Sequence, residues 1–142
     1  MKGLFLRAAS ATAVLLAFAL LGCKSRQEAS SNNLGDAGYQ LTATDWFRAA
    51  ADDNPVALEL FLKGGMEIGT KTADGNAALH IAAAAGAMKS GKFLLDHKVA
   101  IDEPGAGGRT PLMESIVAGK TEMTRWLLKQ GADRKAKDPE GF

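Results

Sequence analysis

The chain has 142 residues, a single cysteine, two histidines and a formal net charge of +1. One cysteine excludes an intramolecular disulfide framework, and two histidines without cysteine partners leave little for a zinc centre. Acidic and basic side chains nearly balance, which argues against a nucleic-acid binder that would need clustered positive charge. The hydrophobic share of 46% is unevenly spread: from Leu4 to Gly22 the only charged residue is Arg7.

That first stretch reads as a targeting signal. Lys2 and Arg7 form a short positive region, and Ala8 to Leu21 is an apolar run of about 14 residues, suited to a signal peptide and short for a membrane-spanning helix. It ends Leu20-Leu21-Gly22-Cys23, which resembles a bacterial lipobox. The resemblance implies removal of residues 1–22, diacylglycerol on Cys23 and further acylation of the new amino terminus. Two or more chains anchor stably where one is marginal. Lys24 follows where aspartate would favour retention in the inner membrane, so the expected location is the periplasmic face of the outer membrane. Residues 23–40 are polar and rich in Ser, Asn, Gly and Gln. They offer little apolar surface to offset ordering, so a lipidated flexible tether is expected there.

Beyond residue 40 the sequence repeats. A shift of 33 residues superposes Gly75, Gly108 and Gly141, then Leu79 on Leu112 and Gly86 on Gly119. It also aligns Leu60, Phe93 and Trp126, the set Phe61, Leu94 and Leu127, and the set Leu62, Leu95 and Leu128. Such a period marks a stacked array. Local signals give two short helices per unit. Thr44 can cap a helix beginning at Asp45. Asn54 with Pro55 can open the next, which Gly64 can end through a positive φ. The second unit gives helices over about 77–85 and 88–97. In the third, Thr110 and Pro111 open a helix that Gly119 ends, and Thr121 caps another closed by Gly131. Helices this short need their neighbours to be stable. Gly91 inside a helix should cost roughly 1 kcal/mol against alanine, so the second unit is expected to be the weak joint.

The third unit reads Gly108-Arg109-Thr110-Pro111-Leu112, then Ala118-Gly119, then Leu127-Leu128-Lys129-Gln130-Gly131-Ala132-Asp133. The second has Gly75-Asn76-Ala77-Ala78-Leu79-His80 and Leu94-Leu95. These residues resemble ankyrin repeats. The resemblance implies an all-α solenoid of about three helix-turn-helix units joined by β-hairpin-like fingers: residues 41–70, 71–103 and 104–137, with a fourth unit begun at 138–142. Two departures stand out. Ala77-Ala78 replaces the family's Thr-Pro pair, and Met113 stands where the family has the histidine that ties neighbouring units together. Without a polar capping helix pair, the apolar side of the third unit should be partly open. A fragment of a longer array is the favoured reading of the sequence end.

Candidate chemistry is sparse. His80 sits in the family's structural slot, and His97 lies near a helix end, where it can interact with the dipole. Asp52 and Asp53 suit a capped turn rather than a cation site. Gly105-Ala106-Gly107-Gly108 lacks the Gly-Lys-Ser/Thr ending of a phosphate loop. Trp46 and Trp126 fall at apolar repeat positions, and Ser115 lacks the glycines of a nucleophile elbow. No enzyme, metal, cofactor or small-molecule substrate is expected.

The resemblance instead implies a protein partner on a concave face lined by the fingers and the first helix of each pair. By position the candidates are Lys71, Asp74 and Asn76 on one finger and Ala106 and Arg109 on the next. Ile81, Ala84, Glu114 and Val117 lie on the helices. The expected function is a membrane-anchored interaction module of the bacterial envelope. The alternatives are a structural envelope scaffold, or an immunity or inhibitor protein against a toxin acting there.

Overall fold

A computed structural model describes residues 34–141. The signal segment, Cys23 and most of the expected tether lie outside the described residues. Six helices follow in pairs: α1 (Ala43–Ala51) and α2 (Pro55–Lys63), α3 (Ala78–Ala85) and α4 (Met88–Asp96), α5 (Pro111–Val117) and α6 (Thr121–Lys129). The first helices α1, α3 and α5 lie side by side, each packs against the second helix of its own pair, and the second helices α2 and α4 also meet. This is the helical solenoid that the 33-residue period implies.

Two register positions carry the period into the backbone. The turn inside each pair uses a left-handed residue: Asp53 at φ 55°, Gly86 at 75° and Gly119 at 68°. The turn that ends each second helix uses another: Gly65 at 98°, Lys98 at 66° and Gly131 at 96°. Glycine adopts this region without a Cβ penalty, and aspartate tolerates it better than most. The expected closure of α2 at Gly64 therefore shifts by one residue, because Gly64 itself is right-handed at φ −75° and Gly65 makes the reversal.

Other boundaries move for identifiable reasons. α1 starts two residues earlier than expected, because Thr42 rather than Thr44 is its cap. The Thr42 hydroxyl accepts the Asp45 amide at 3.2 Å, and the Asp45 carboxylate accepts the Gln40 amide at 2.6 Å. α6 starts at Thr121 behind Lys120, with no side-chain cap. The Asn54–Pro55 and Thr110–Pro111 starts are as expected, with cap bonds to the Ala57 and Met113 amides.

The expected tether ends sooner than residue 40. A helical turn at 34–36 sets Leu34, fully buried, against the first unit, and Tyr39 is nearly as buried. The Tyr39 ring meets Phe61 edge-on at 6.1 Å, and its hydroxyl donates to Asp52 at 2.8 Å. The Arg48 guanidinium lies 4.7 Å over the same ring and donates to the Gly38 carbonyl. Two large apolar side chains suffice to order this short stretch, which composition alone marked as polar.

The core has two parts. One joins units 1 and 2 through Trp46, Leu58, Phe61, Leu79 and Leu94, and the other joins units 2 and 3 through Ala83, Leu112, Met123 and Leu127. Gly91 belongs to the second joint. A Cβ built there would stand 3.1 Å from the Trp126 ring. The missing side chain is room for an indole, so the glycine is not the simple loss expected from helix propensity.

Candidate interaction face

The segments between helix pairs form narrow fingers. In the first, the Thr72 amide donates to the Asn76 carbonyl at 2.8 Å and the Gly75 amide to the Thr72 carbonyl at 2.9 Å. An isolated antiparallel bridge joins Lys71 and Ala77. In the second, the Gly105 amide donates to the Arg109 carbonyl at 2.8 Å, and a 3-10 turn spans Ala106–Gly108. The fingers are hairpin-like as expected, with turn bonds rather than a strand ladder among the described residues.

The joint between units 2 and 3 is held by polar bonds. His80 is buried in α3. Its Nδ1 accepts the Ala77 amide at 3.2 Å, so its Nε2–H donates to the Arg109 carbonyl at 3.1 Å. One imidazole thus caps its own helix, where Ala77 supplies no side chain, and ties it to the next finger. Burial holds its pKa below the ordinary histidine value, and the hydrogen bond to Arg109 and the carboxylates of Glu103 and Glu114 oppose that shift only in part. The Asn76 Oδ1 accepts the Ala106 amide at 2.8 Å, bridging finger to finger. Gly105 makes this approach possible, since a Cβ there would lie 2.4 Å from Asn76 Oδ1 and 2.7 Å from the His80 ring.

The first joint is different. Met113 and Phe47 occupy the register of His80 in units 3 and 1, and neither can make its bonds. Asp53 supplies another link: its Oδ1 accepts the Ser90 amide at 2.8 Å, capping α4 from the preceding unit. The Lys71–Glu103 pair, at 2.6 Å, instead joins the same two fingers as the Asn76–Ala106 bond. A cavity of about 340 Å³ lies between α1 and the first finger, lined by Ala43, Thr44, Phe47, Lys71, Thr72 and Ala73.

The expected partner-binding residues separate into two groups. Lys71, Asn76, Ala106 and Arg109 are brought together as finger-to-finger bonds, since Arg109 also lies 4.0 Å from Asp138. Lys71 and Asp74 remain exposed, while the Asn76 oxygen is engaged. Ile81, Ala84 and Glu114 are half-buried along α3 and α5, and Val117 is 55% exposed. The cavity over Phe47 and the acidic partner Glu103 were not among the candidates. The register of His80 leads to Phe47 by a single shift, but nothing local marks Glu103. At the far end, Ile116 and Leu128 are 48% and 41% exposed, although Ala83, which shares the register of Ile116, is fully buried.

His97 and Ser115 serve the fold. The His97 Nδ1 bonds the Phe93 carbonyl at 2.8 Å, and the Ser115 hydroxyl donates to the Leu112 carbonyl at 2.7 Å. Stacked helix pairs with fingers at their joints define a repeat interaction scaffold. The family model for ankyrin repeats (3 copies) matches residues 46–138, and the chain belongs to the ankyrin repeat family. Its repeats form a protein–protein interaction module of a non-catalytic type. None of the curated proteins matches the sequence.

Proposed function

We propose that this protein is a lipid-anchored interaction module of the bacterial envelope, which presents the concave face of its ankyrin array to a protein partner. The anchoring rests on Leu20-Leu21-Gly22-Cys23 behind an apolar run, and Lys24 favours the periplasmic face of the outer membrane. No helix of the described residues is long and apolar enough to cross a membrane. The binding face rests on one observation above others. Val117 stays 55% exposed, in line with half-buried Ile81, Ala84 and Glu114, while Ala82 and Ser115 on the opposite side of the same helices are fully buried.

Two experiments test the two halves. In a Gram-negative host, the full chain incorporates labelled palmitate and partitions with membranes, and Cys23→Ala loses both. A membrane-free wild type would overturn the anchor. In the same cells, crosslinking captures a partner, and Arg109→Ala with Glu114→Ala abolishes the capture while the melting curve is retained. Unchanged capture by that variant counts against the concave face.

A further inference from the structure

The cavity over Phe47 coincides, by the repeat, with a place that is filled one unit later. In the second joint the Asn76 carboxamide lies beside the His80 ring and accepts the Ala106 amide. A shift of 33 turns Asn76 into Ala43, His80 into Phe47 and Ala106 into Ala73. All three shifted residues line the cavity of about 340 Å³. One unit further on, the same register holds Arg109, near Asp138. The first joint therefore keeps the aromatic floor and the finger turn but lacks the polar side chain that bridges them. The early start of α1 contributes, because Ala43 is already helical while Asn76 runs ahead of α3.

We propose that this vacated place is a recognition pocket for an asparagine or glutamine side chain of an extended partner segment. The Ala73 amide is the donor. It occupies the second position of the turn closed by the bond from the Gly75 amide to the Thr72 carbonyl, as Ala106 does in the turn closed by Gly108 and Gly105. Ala106 gives its hydrogen to Asn76, whereas Ala73 meets no acceptor among the described residues. The guest oxygen takes that hydrogen, and the apolar stem lies on Phe47. Local charge selects a neutral guest over a carboxylate: Lys71 is matched by Glu103 at 2.6 Å, and Asp74 adds a second negative charge in the same turn. The amide end of the guest faces Thr44 and Thr72, whose side chains complete the lining.

The pocket lies on the concave face and rests on that reading of the array. It is tested on the full chain by NMR titration with acetyl-glycyl-asparaginyl-glycinamide and its alanine, aspartate and leucine counterparts. The asparagine probe shifts the Ala73 amide proton downfield and moves the Phe47 ring signals. The other probes bind about tenfold more weakly, the cost of one hydrogen bond. Ala73→Pro removes the donor at a turn position that proline favours, so the finger is kept. In that variant the asparagine probe weakens to the level of the alanine probe. No shift at Ala73, equal binding of the leucine or aspartate probe, or unchanged binding to Ala73→Pro overturns the pocket. Capture lost in the Arg109→Ala, Glu114→Ala variant but kept in Ala73→Pro would sustain the concave face and sink the pocket alone.

Discussion

The two joints of the array are built on one register and held by different means. Between units 2 and 3 the work is done by buried His80 and half-buried Asn76, each reaching a backbone atom of the next finger. Between units 1 and 2 the equivalent positions are Phe47 and Ala43, and the link moves to the Asp53–Ser90 cap and a larger apolar core. The repeat thus fixes where neighbouring units must be tied, not which chemical bond does it. A joint that loses its polar bridge but keeps its core can remain closed behind and open in front, which is how the cavity over Phe47 arises.

The largest expected effect separates the joints directly. His80→Ala leaves the Ala77 amide without its acceptor, takes one of two donors from the Arg109 carbonyl and empties a buried site. The expected cost is about 2–4 kcal/mol, from the lost hydrogen bonds and the cavity together. Chemical denaturation checks it. Hydrogen exchange should place the loss at the second finger and α5 while α1 and α2 keep their protection. A uniform loss across the array would mean that the joints are not separate. His80→Met, which copies Met113, should recover the packing part only.

The same residue gives the second joint a pH dependence. Burial lowers the folded-state pKa of His80 below its ordinary value. The unfolded chain therefore binds the proton more readily in the interval between the two pKa values. Stability is full above the usual histidine value, about 6.5, and falls as the pH drops through that value towards the folded one. Protonation would also set an Nδ1–H against the Ala77 amide. Melting temperatures from pH 7.5 downwards should decline through this window in the wild type and much less in His80→Met. Equal slopes would remove His80 from the account.

Asp53→Ala tests the first joint. It removes the cap on the Ser90 amide and places alanine in a left-handed turn. About 1–2 kcal/mol is expected, as for other lost caps. Asp53→Gly, which copies Gly86 and Gly119, should cost less, because it relaxes the turn while losing the same bond. If the two variants are equal, the turn conformation contributes nothing.

The first joint also marks where sequence reasoning stops. The period and local caps placed the helix pairs, since spacing and caps are local, and the family resemblance implied the fingers. Local capping chemistry put the start of α1 behind Thr44. The actual start depends on Thr42 and on the Asp45–Gln40 bond, features of this unit only. Tyr39 and Leu34 sit in a polar stretch, and only the three-dimensional neighbourhood of Phe61, Asp52 and Arg48 explains their burial. The proposed binding face is a set of positions taken from the family resemblance. Which of them are already spent on bonds within the protein, as Asn76 is, required distances.

The smallest expected effect lies in the row of second helices. Gly91→Ala gains about 1 kcal/mol of helix propensity and meets the Trp126 ring at 3.1 Å, with Met123 Cε at 3.5 Å. The two effects oppose each other, so in the wild type the melting temperature should change little or fall slightly. Trp126→Leu removes the obstacle and brings the position closer to Phe93 and Leu60, its counterparts in the other units. In that background Gly91→Ala should be stabilising by nearly its full propensity gain. The double-mutant cycle therefore carries a coupling of about 0.5–1 kcal/mol between the two positions. Simple additivity would mean that the indole gives way without cost, and that the glycine in α4 is, after all, only a weak point of the second unit.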